Sequence, residues 1–311
     1  MRRLIFVEGI PGSGKSTCAR FLANQFERNG HTCELYLETT YQHPVIYAEG
    51  FDDYRSFIDS YIEKWSKFMS CEGDSEIIVM ESALIQNPMV HLLHKDVDRS
   101  LIYDLIVNVS NLFNETDCKL VYLYQEDAAA AIEGMIQVRG REDFLIRKHN
   151  EFKHEPYFVN REQLGVDAHI SFFLEYAGLA NQIVPDLRIE TLCIENSKRD
   201  YSSYEEQLLQ TFNLKLVPDP ILDEAILKSY SGTYHNQELG LILHVEFRDG
   251  HLFIFENKQL KPKSTNQFYL DDMSVTVSFY VDAHETYRIV ITEKDLYGNR
   301  SDEGTAFKRV S

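Results

Sequence analysis

The chain has 311 residues, more than one hydrophobic core usually serves, so two domains are expected. With 44% hydrophobic and 26% charged residues, wholesale disorder, a collagen-like chain and a coiled-coil rod are excluded, and no run of about 18 uncharged apolar residues is present to span a membrane. A net charge of −18 repels phosphate backbones, which argues against general nucleic-acid binding and leaves only local basic pockets open.

The chain opens on Met1-Arg2-Arg3 and an apolar run over 4–7 that Glu8 ends. That run is too short for the core of a signal peptide, so a cytoplasmic location is expected. Cys18, Cys33, Cys71, Cys118 and Cys193 are odd in number and lack paired close spacing, unlike a disulfide framework or a zinc site. Short strand-like runs fall at 4–7, 33–37, 76–80, 119–124 and 187–194. Several are almost continuously apolar, as strands buried on both faces of a parallel sheet are. Amphipathic helical patterns lie between them. One over 100–113 carries Leu101, Ile102, Leu105, Ile106, Val109 and Leu112 at i, i+3/i+4 spacing. Another holds Tyr54, Phe57, Ile58, Tyr61, Ile62, Trp65, Phe68 and Met69, and reads as core rather than as an aromatic box for a ligand. Strands separated by helices predict an α/β domain with right-handed crossovers over residues 1–214.

Pro218 and Pro220 break regular structure, so 215–226 is expected to be a linker. After Leu227 the helical period gives way to a period of two. Runs at 239–247 and 251–255 flank Arg248-Asp249-Gly250, a hairpin signal. Val275, Val277, Phe279 and Val281 alternate with Ser274, Thr276, Ser278 and Tyr280, and Tyr287, Ile289 and Ile291 repeat the pattern. Residues 227–311 are therefore expected to form an all-β domain. The residues after 214 carry a net −4, and the α/β part the remaining −14. The expected roles of the β domain are packing against the first domain, homodimerisation or binding a protein partner.

Gly9-Ile10-Pro11-Gly12-Ser13-Gly14-Lys15-Ser16-Thr17 contains G-x-x-x-x-G-K-[ST], the Walker A loop. Phosphates need many oriented donors in a small space, and glycines let successive backbone N–H groups converge on the oxygens. Lys15 is expected to reach the β- and γ-phosphates and Ser16 to ligate magnesium, with the positive end of a helix starting near Lys15 adding to both. The loop follows an apolar strand and precedes an amphipathic helix bearing Cys18, Phe21, Leu22 and Phe26, the context the motif requires. A guanine-reading N-K-x-D and an ABC-type signature are absent.

Residues 6–17 resemble the opening of the deoxynucleoside kinase and thymidylate kinase group, which runs strand, E-G, loop, G-K-S-T. The run 119–124 followed by 128–141 is similar to their strand, helix and arginine-rich lid; Ile194-Glu195-Asn196 is similar to their last core strand and adenine loop. The resemblance covers about residues 1–214. It implies a three-layer P-loop fold with a five-stranded parallel sheet, and an ATP-dependent phosphotransferase. The γ-phosphoryl of Mg-ATP would pass to a hydroxyl or phosphate of a small molecule, with nucleosides and nucleotides among the candidates. Arg139 and Arg141 are the lid cations expected to stabilise charge on the phosphoryl group in transit. Glu38 and Glu81, at the carboxyl ends of the second and third strands, share the roles of proton acceptor and magnesium-linked carboxylate, in an order the sequence leaves open. Ser82-Ala83 follows Glu81 where these kinases carry an arginine, and Ile10-Pro11 stands where thymidylate kinases have an acidic residue.

Two rival readings stay open: a P-loop switch whose β domain binds a partner, and a polynucleotide or protein-linked kinase, which the acidic charge disfavours. Tyr41, His43 and Tyr47 are candidates to touch the acceptor. His91 and His94 sit at i, i+3 but lack a visible third ligand, so a metal site is not expected there. The β domain weakly resembles the small barrel module appended to β-lactamase-like and esterase-like hydrolases, through Ser231-Gly232-Thr233-Tyr234, Asp249-Gly250-His251-Leu252 and 307–310.

Overall fold

A computed structural model describes residues 3–40, 43–46, 53–71, 75–162, 165–198, 200–271, 273–282, 285–292 and 304–310. The chain divides into two compact units, Met1–Glu38 with Gln42–Leu216, and Thr39–Tyr41 with Val217–Ser311.

The first unit is built on β1 (Arg3–Gly9), β2 (Cys33–Tyr36), β3 (Ile77–Glu81), β4 (Asp117–Tyr124) and β5 (Glu190–Glu195). All pairings are parallel, in the order β2-β3-β1-β4-β5. The three central strands send alternate residues into two separate cores. Leu4, Phe6, Ile78, Met80, Leu120 and Tyr122 enter one, while Ile5, Val7, Ile77, Val79, Val121 and Leu123 enter the other. Burial on both faces is why these runs lack the alternation of a half-exposed strand. The second core is covered by α1 (Lys15–Arg28) and α9 (Tyr201–Phe212). The first core is covered by α2 (Tyr54–Ser70), α3 (Gln86–His94), α4 (Arg99–Ser110), α5 (Ala128–Val138) and α8 (Ala168–Ile183), among others.

The aromatic stripe of α2 is core, as expected: Phe57, Tyr61, Trp65 and Phe68 are buried, and the Trp65 ring meets Phe6 and Phe113 edge-on at 5.6 and 5.2 Å. The pattern over 100–113 is α4 plus a 3-10 turn over Asn111–Phe113. The fifth strand starts later than its apolar run. Leu187 and Ile189 are buried below a 3-10 turn, Val184–Asp186, before pairing begins at Glu190. The basic segment after β4 breaks at Gly140 (φ 76°) into α5 and α6 (Arg141–Phe152), followed by α7 (Pro156–Asn160).

The second unit is a closed antiparallel barrel. Its strands are β6 (Gly232–Asn236), β7 (Leu241–Arg248), β8 (His251–Ile254), β9 (Lys258–Pro262), β10 (Gln267–Leu270), β11 (Met273–Asp282), β12 (Glu285–Thr292) and β13 (Thr305–Arg309), closed in the order β10-β11-β12-β13-β6-β7-β8-β9. Asp249 and Gly250 both have positive φ (52° and 82°), so the expected hairpin is a two-residue turn of the kind that matches strand twist. The lumen is filled by Tyr230, Tyr234, Phe268 and Phe279, with the Tyr230 and Phe279 rings stacked at 4.4 Å.

The expected linker is shorter than its sequence suggests. Asp223 caps α10 (Glu224–Tyr230) by accepting from the Ala225 N–H at 2.7 Å, and Leu227 and Tyr230 enter the barrel core. Asp219 accepts from the Tyr269 hydroxyl at 3.0 Å. A fragment cut near 226 therefore loses a cap and a helical turn that the barrel uses. Residues 217–311 are expected to fold alone, with a strand-dominated circular dichroism spectrum and a cooperative melt. Residues 227–311 should melt lower, since losing a cap costs about 0.5–2 kcal/mol. An unfolded 217–311 fragment would make the barrel dependent on the first unit.

Candidate active site

The phosphate loop leaves β1 at its carboxyl end. Register places Val7 beside Glu81 of β3, and Gly9 beside Leu123 of β4. A side chain is excluded at Gly9 by contact: a Cβ there would lie 2.3 Å from the Leu123 carbonyl oxygen. Gly12 (φ 80°) packs against Met135, where a Cβ would come within 2.4 Å. Gly14 (φ 92°) is the N-cap of α1 and offers no side-chain cap, so the first-turn N–H groups of α1 stay available to an anion. Lys15 is buried, and its ammonium donates to the Ile10 carbonyl at 3.0 Å across the loop. Burial pushes its pKa down, while the carboxylates of Glu81, Glu38 and Glu8 hold it up.

Ser16 and Glu81 meet, with the Ser16 hydroxyl donating to Glu81 Oε1 at 3.2 Å. Glu81 also accepts from the Ser82 hydroxyl (3.0 Å) and, on Oε2, from the backbone N–H of Glu38 (2.8 Å). Glu38 lies two residues beyond β2 rather than on its last position. Its Oε2 accepts from Gln86 Nε2 at 2.8 Å. The residue is exposed to solvent, yet protein atoms crowd its carboxylate. Desolvation therefore pushes its pKa up, moderated by the water that reaches it, and the Glu81 charge adds to the rise.

Hydroxyl and carboxylate oxygens side by side suit a hard cation. Among the described residues no cluster of three or more His, Cys, Asp or Glu surrounds a metal position. Ser16 and Glu81 are the residues here whose oxygens could hold such a cation.

The lid arginines differ. Arg139, the C-cap of α5, is exposed and close enough for its charge to act on Lys15. Arg141 is tied to Glu133 and, at 3.3 Å, to Asp167. Arg139 thus adds positive charge in the neighbourhood of Lys15, while Arg141 is held in ion pairs. Arg161 pairs with Asp96 at 2.6 Å. Tyr41 and Tyr47 lie outside the described residues. His43 is buried; its Nδ1 accepts from the N–H groups of Val45 (3.2 Å) and Ile46 (3.0 Å), which fixes the proton on Nε2. His91 stacks on Phe57, and His94 is sandwiched between Phe152 and Phe172, so both serve packing.

The buried imidazoles give stability a pH dependence. Burial pushes His43 and His94 down to about 3, and His91 and His169 down to about 4. The unfolded chain, with histidines near 6.5, then binds more protons than the folded one. Stability is expected to rise from about pH 4 to about pH 6.5 and to be lost as pH falls through that window. Glu8 works with the opposite sign: burial raises it to about 7, so its contribution weakens as pH rises from 4.5 to 7. Glu38, whose pKa is also raised by desolvation, acts in the same direction as Glu8, and four imidazoles outweigh these two carboxyls. Melting temperature measured across pH 4–7 should climb; a flat or falling curve would contradict the buried neutral histidines.

Four residues that shape the site were given no role by the sequence reading. Glu8, fully buried, accepts from the N–H groups of Leu84 (2.7 Å), Ile85 (3.0 Å) and Gln86 (3.1 Å), pinning the turn that carries Gln86 and Glu81. Ser82, left-handed at φ 62°, makes that turn sharp enough. Gln86 orients Glu38. Tyr176 donates to the Gly9 carbonyl at 3.0 Å and holds the loop from α8. Glu8 was visible only as the E of the E-G run that ends an apolar strand, and Gln86 and Tyr176 had no signal.

Beside the loop lies a cleft of about 240 Å³ lined by Ile10, Pro11, Gly12, α5 and the Asn196-Ser197 turn after β5. Asn196 Nδ2 donates to the Ser13 carbonyl at 2.6 Å.

No protein-family model matches the chain, and no curated protein matches it. Solved structures to which the chain is similar include three. One is YorR protein of Bacillus subtilis in complex with phosphorylated GDP, at 10% identity over 68% of this chain and 95% of that one, with TM-score 0.37. Another is deoxyadenosine kinase of M. mycoides with bound dATP, at 19% identity over 68% and 100%, with TM-score 0.37. The third is a eukaryotic dimethylallyltransferase acting on tRNA, at 10% identity over 68% and 79%, with TM-score 0.32. The P-loop fold of the first unit rests on its strand order and loop, not on these distant likenesses. Among the described residues no helix is long and apolar enough to cross a membrane.

Proposed function

We propose that the first unit is an ATP-dependent phosphotransferase acting on a small molecule that bears a hydroxyl or phosphate. The observation that carries this reading is the convergence of Lys15, Ser16, Glu81 and Glu38 at the carboxyl end of the central strands. Magnesium held there by Ser16 and Glu81 would supply neutralisation of the phosphate charge.

The loop amides and the first turn of α1 bind the donor's phosphates. Lys15 leaves the Ile10 carbonyl for the β- and γ-oxygens, and Ser16 and Glu81 hold the metal. Glu38 is the proton acceptor for the attacking group: its Oε2 is held by Gln86, its Oε1 is left to take a proton, and its raised pKa brings it nearer to working pH. Arg139 approaches over the transferring group, and Arg141 joins only by leaving Glu133 and Asp167.

The test is a panel of nucleosides, nucleotides, sugars and aminoglycoside-like compounds with labelled Mg-ATP, scored for a phosphorylated product. It is accompanied by melting curves with Mg-ATP, which should shift upward. An unchanged melting temperature at millimolar Mg-ATP removes the donor reading. Nucleotide-dependent binding of a partner protein without any phosphorylated product would favour the switch instead.

A further inference from the structure

Helix α3 starts in the interior without a cap of its own. Ile85, the residue before it, supplies no side-chain acceptor. Ser82, Ala83, Leu84 and Ile85 are fully buried, so water does not serve the N–H groups of this turn. Such donors need an acceptor from elsewhere in the protein. They find it on β1, in Glu8, the residue just before the first glycine of the phosphate loop.

The two oxygens of Glu8 serve different donors. Oε1 accepts from Leu84 and Ile85, and Oε2 accepts from Gln86 alone. The carbonyl side of the same turn is held from α2, where the Tyr61 hydroxyl donates to Ala83 at 2.8 Å and to Leu84 at 3.3 Å. With Ser82 at φ 62° the turn is strained, so its shape depends on these contacts. Gln86 carries the constraint into the site. Its N–H is fixed by Glu8, and its Nε2 donates to Glu38 Oε2 at 2.8 Å.

We infer that Glu8 is a positioning residue for Glu38, acting through the Gln86 backbone N–H to aim the amide that holds the Glu38 carboxylate. This rests on Glu38 being the proton acceptor. Glu8 spends its own oxygens on backbone donors and takes no part in the proton transfer.

Glu8→Gln tests it in the intact chain. The amide keeps one carbonyl oxygen, which suits the paired Leu84 and Ile85 donors, and sets its NH₂ against the Gln86 N–H, donor to donor. The first readout is the NMR signal of the Glu38 side-chain carboxyl carbon in protein carrying δ-¹³C glutamate, assigned by its absence from Glu38→Gln. It is recorded at about pH 8, above the value of about 7 to which burial raises Glu8. Gln86→Met removes the amide donor and gives the signal of an unheld Glu38. Glu8→Gln should carry the signal toward that position, with the Mg-ATP melting shift unchanged. Glu8→Asp draws both oxygens back by one methylene; it should move the signal too, and it decides the matter if the glutamine variant does not fold. A signal that Gln86→Met moves and the Glu8 variants leave in place overturns the inference. So does one that Gln86→Met leaves in place.

Turnover of an acceptor found with the panel is the second readout. Glu8→Gln should lower kcat by about 10–10²-fold at unchanged KM for ATP, since a displacement of about 1 Å at a reacting group can cost that much. Glu8→Gln with Glu38→Gln should be no slower than Glu38→Gln alone, because a residue that acts through another adds nothing once the other is gone. Additive losses overturn the inference. Normal turnover by Glu38→Gln instead removes the proton-acceptor reading on which it rests, a result separate from the carboxyl signal.

Discussion

Lys15→Ala is expected to cut turnover by about 10²–10³-fold or more and to abolish the upward melting shift with Mg-ATP. The reason lies in how the ammonium is held. It is buried at 5% exposure under the loop and faces Glu81, Glu38 and Glu8, so it supplies the nearest positive charge to three carboxylates. Its single hydrogen bond goes to the Ile10 carbonyl, an acceptor easily exchanged for a phosphate oxygen. Removing it withdraws a cation from the β- and γ-phosphates and leaves the carboxylates to repel the incoming nucleotide. Lys15→Met separates charge from packing, because it fills the space without the ammonium. An equal loss in both variants assigns the effect to charge. Lys15→Arg should not rescue, since a planar fork does not fit a site built around a point charge. Melting titrations and single-turnover rates check all three. A Lys15→Ala protein that keeps its Mg-ATP shift would exclude the loop as the phosphate site.

The parallel sheet was legible because β1, β3 and β4 are buried over most of their length and carry mainly apolar residues, interrupted between their ends only by Glu8 in β1 and Lys119 in β4. The loop was legible because glycine is required at defined places, and the structure gives the reasons at Gly9 and Gly12. In the barrel, β7, β11 and β12 show their period, but β6, β8, β9, β10 and β13 are four or five residues long. Each turns few apolar side chains inward, such as Tyr234, Leu260 and Phe307, so no period can establish itself. The short helix α10 was hidden by the prolines just before it. At the site, Glu81 could be placed from sequence, because a strand fixes where its last residue points, whereas Glu38 lies two residues past its strand. Arg141 could not, because its partners Glu133 and Asp167 are 8 and 26 positions away and nothing local announces them. The buried carboxylate of Glu8 bonds backbone 76 to 78 positions away, and backbone donors leave no trace in a sequence.

Glu38→Gln and Glu81→Gln are expected to fail in different ways. Glu81 accepts from the Ser16 and Ser82 hydroxyls and from the Glu38 N–H, so its oxygens are committed to the group that would hold metal. Glu38 has one bond, from Gln86, and faces solvent, where an acceptor can reach it. Its pKa is raised first by desolvation and then by the Glu81 charge, which strengthens it as a base. Glu38→Gln should therefore lower turnover by about 10²–10⁴-fold with little change in ATP affinity or magnesium optimum. Glu81→Gln should raise the magnesium requirement along with its loss of rate. It also turns an amide donor toward the Glu38 N–H or the Ser16 hydroxyl, so a modest fall in melting temperature accompanies it. Glu81→Asp keeps the charge but draws it back by one methylene, and should recover part of the magnesium response without recovering full rate. Magnesium titrations at saturating ATP, with melting curves for each variant, read these outcomes directly. If the magnesium phenotype follows Glu38 instead, the two carboxylates exchange roles, and the hydrogen bond from Ser16 to Glu81 is only scaffolding. If both variants turn over normally with an identified acceptor, neither carboxylate takes part, and the proton leaves by a group on the acceptor itself.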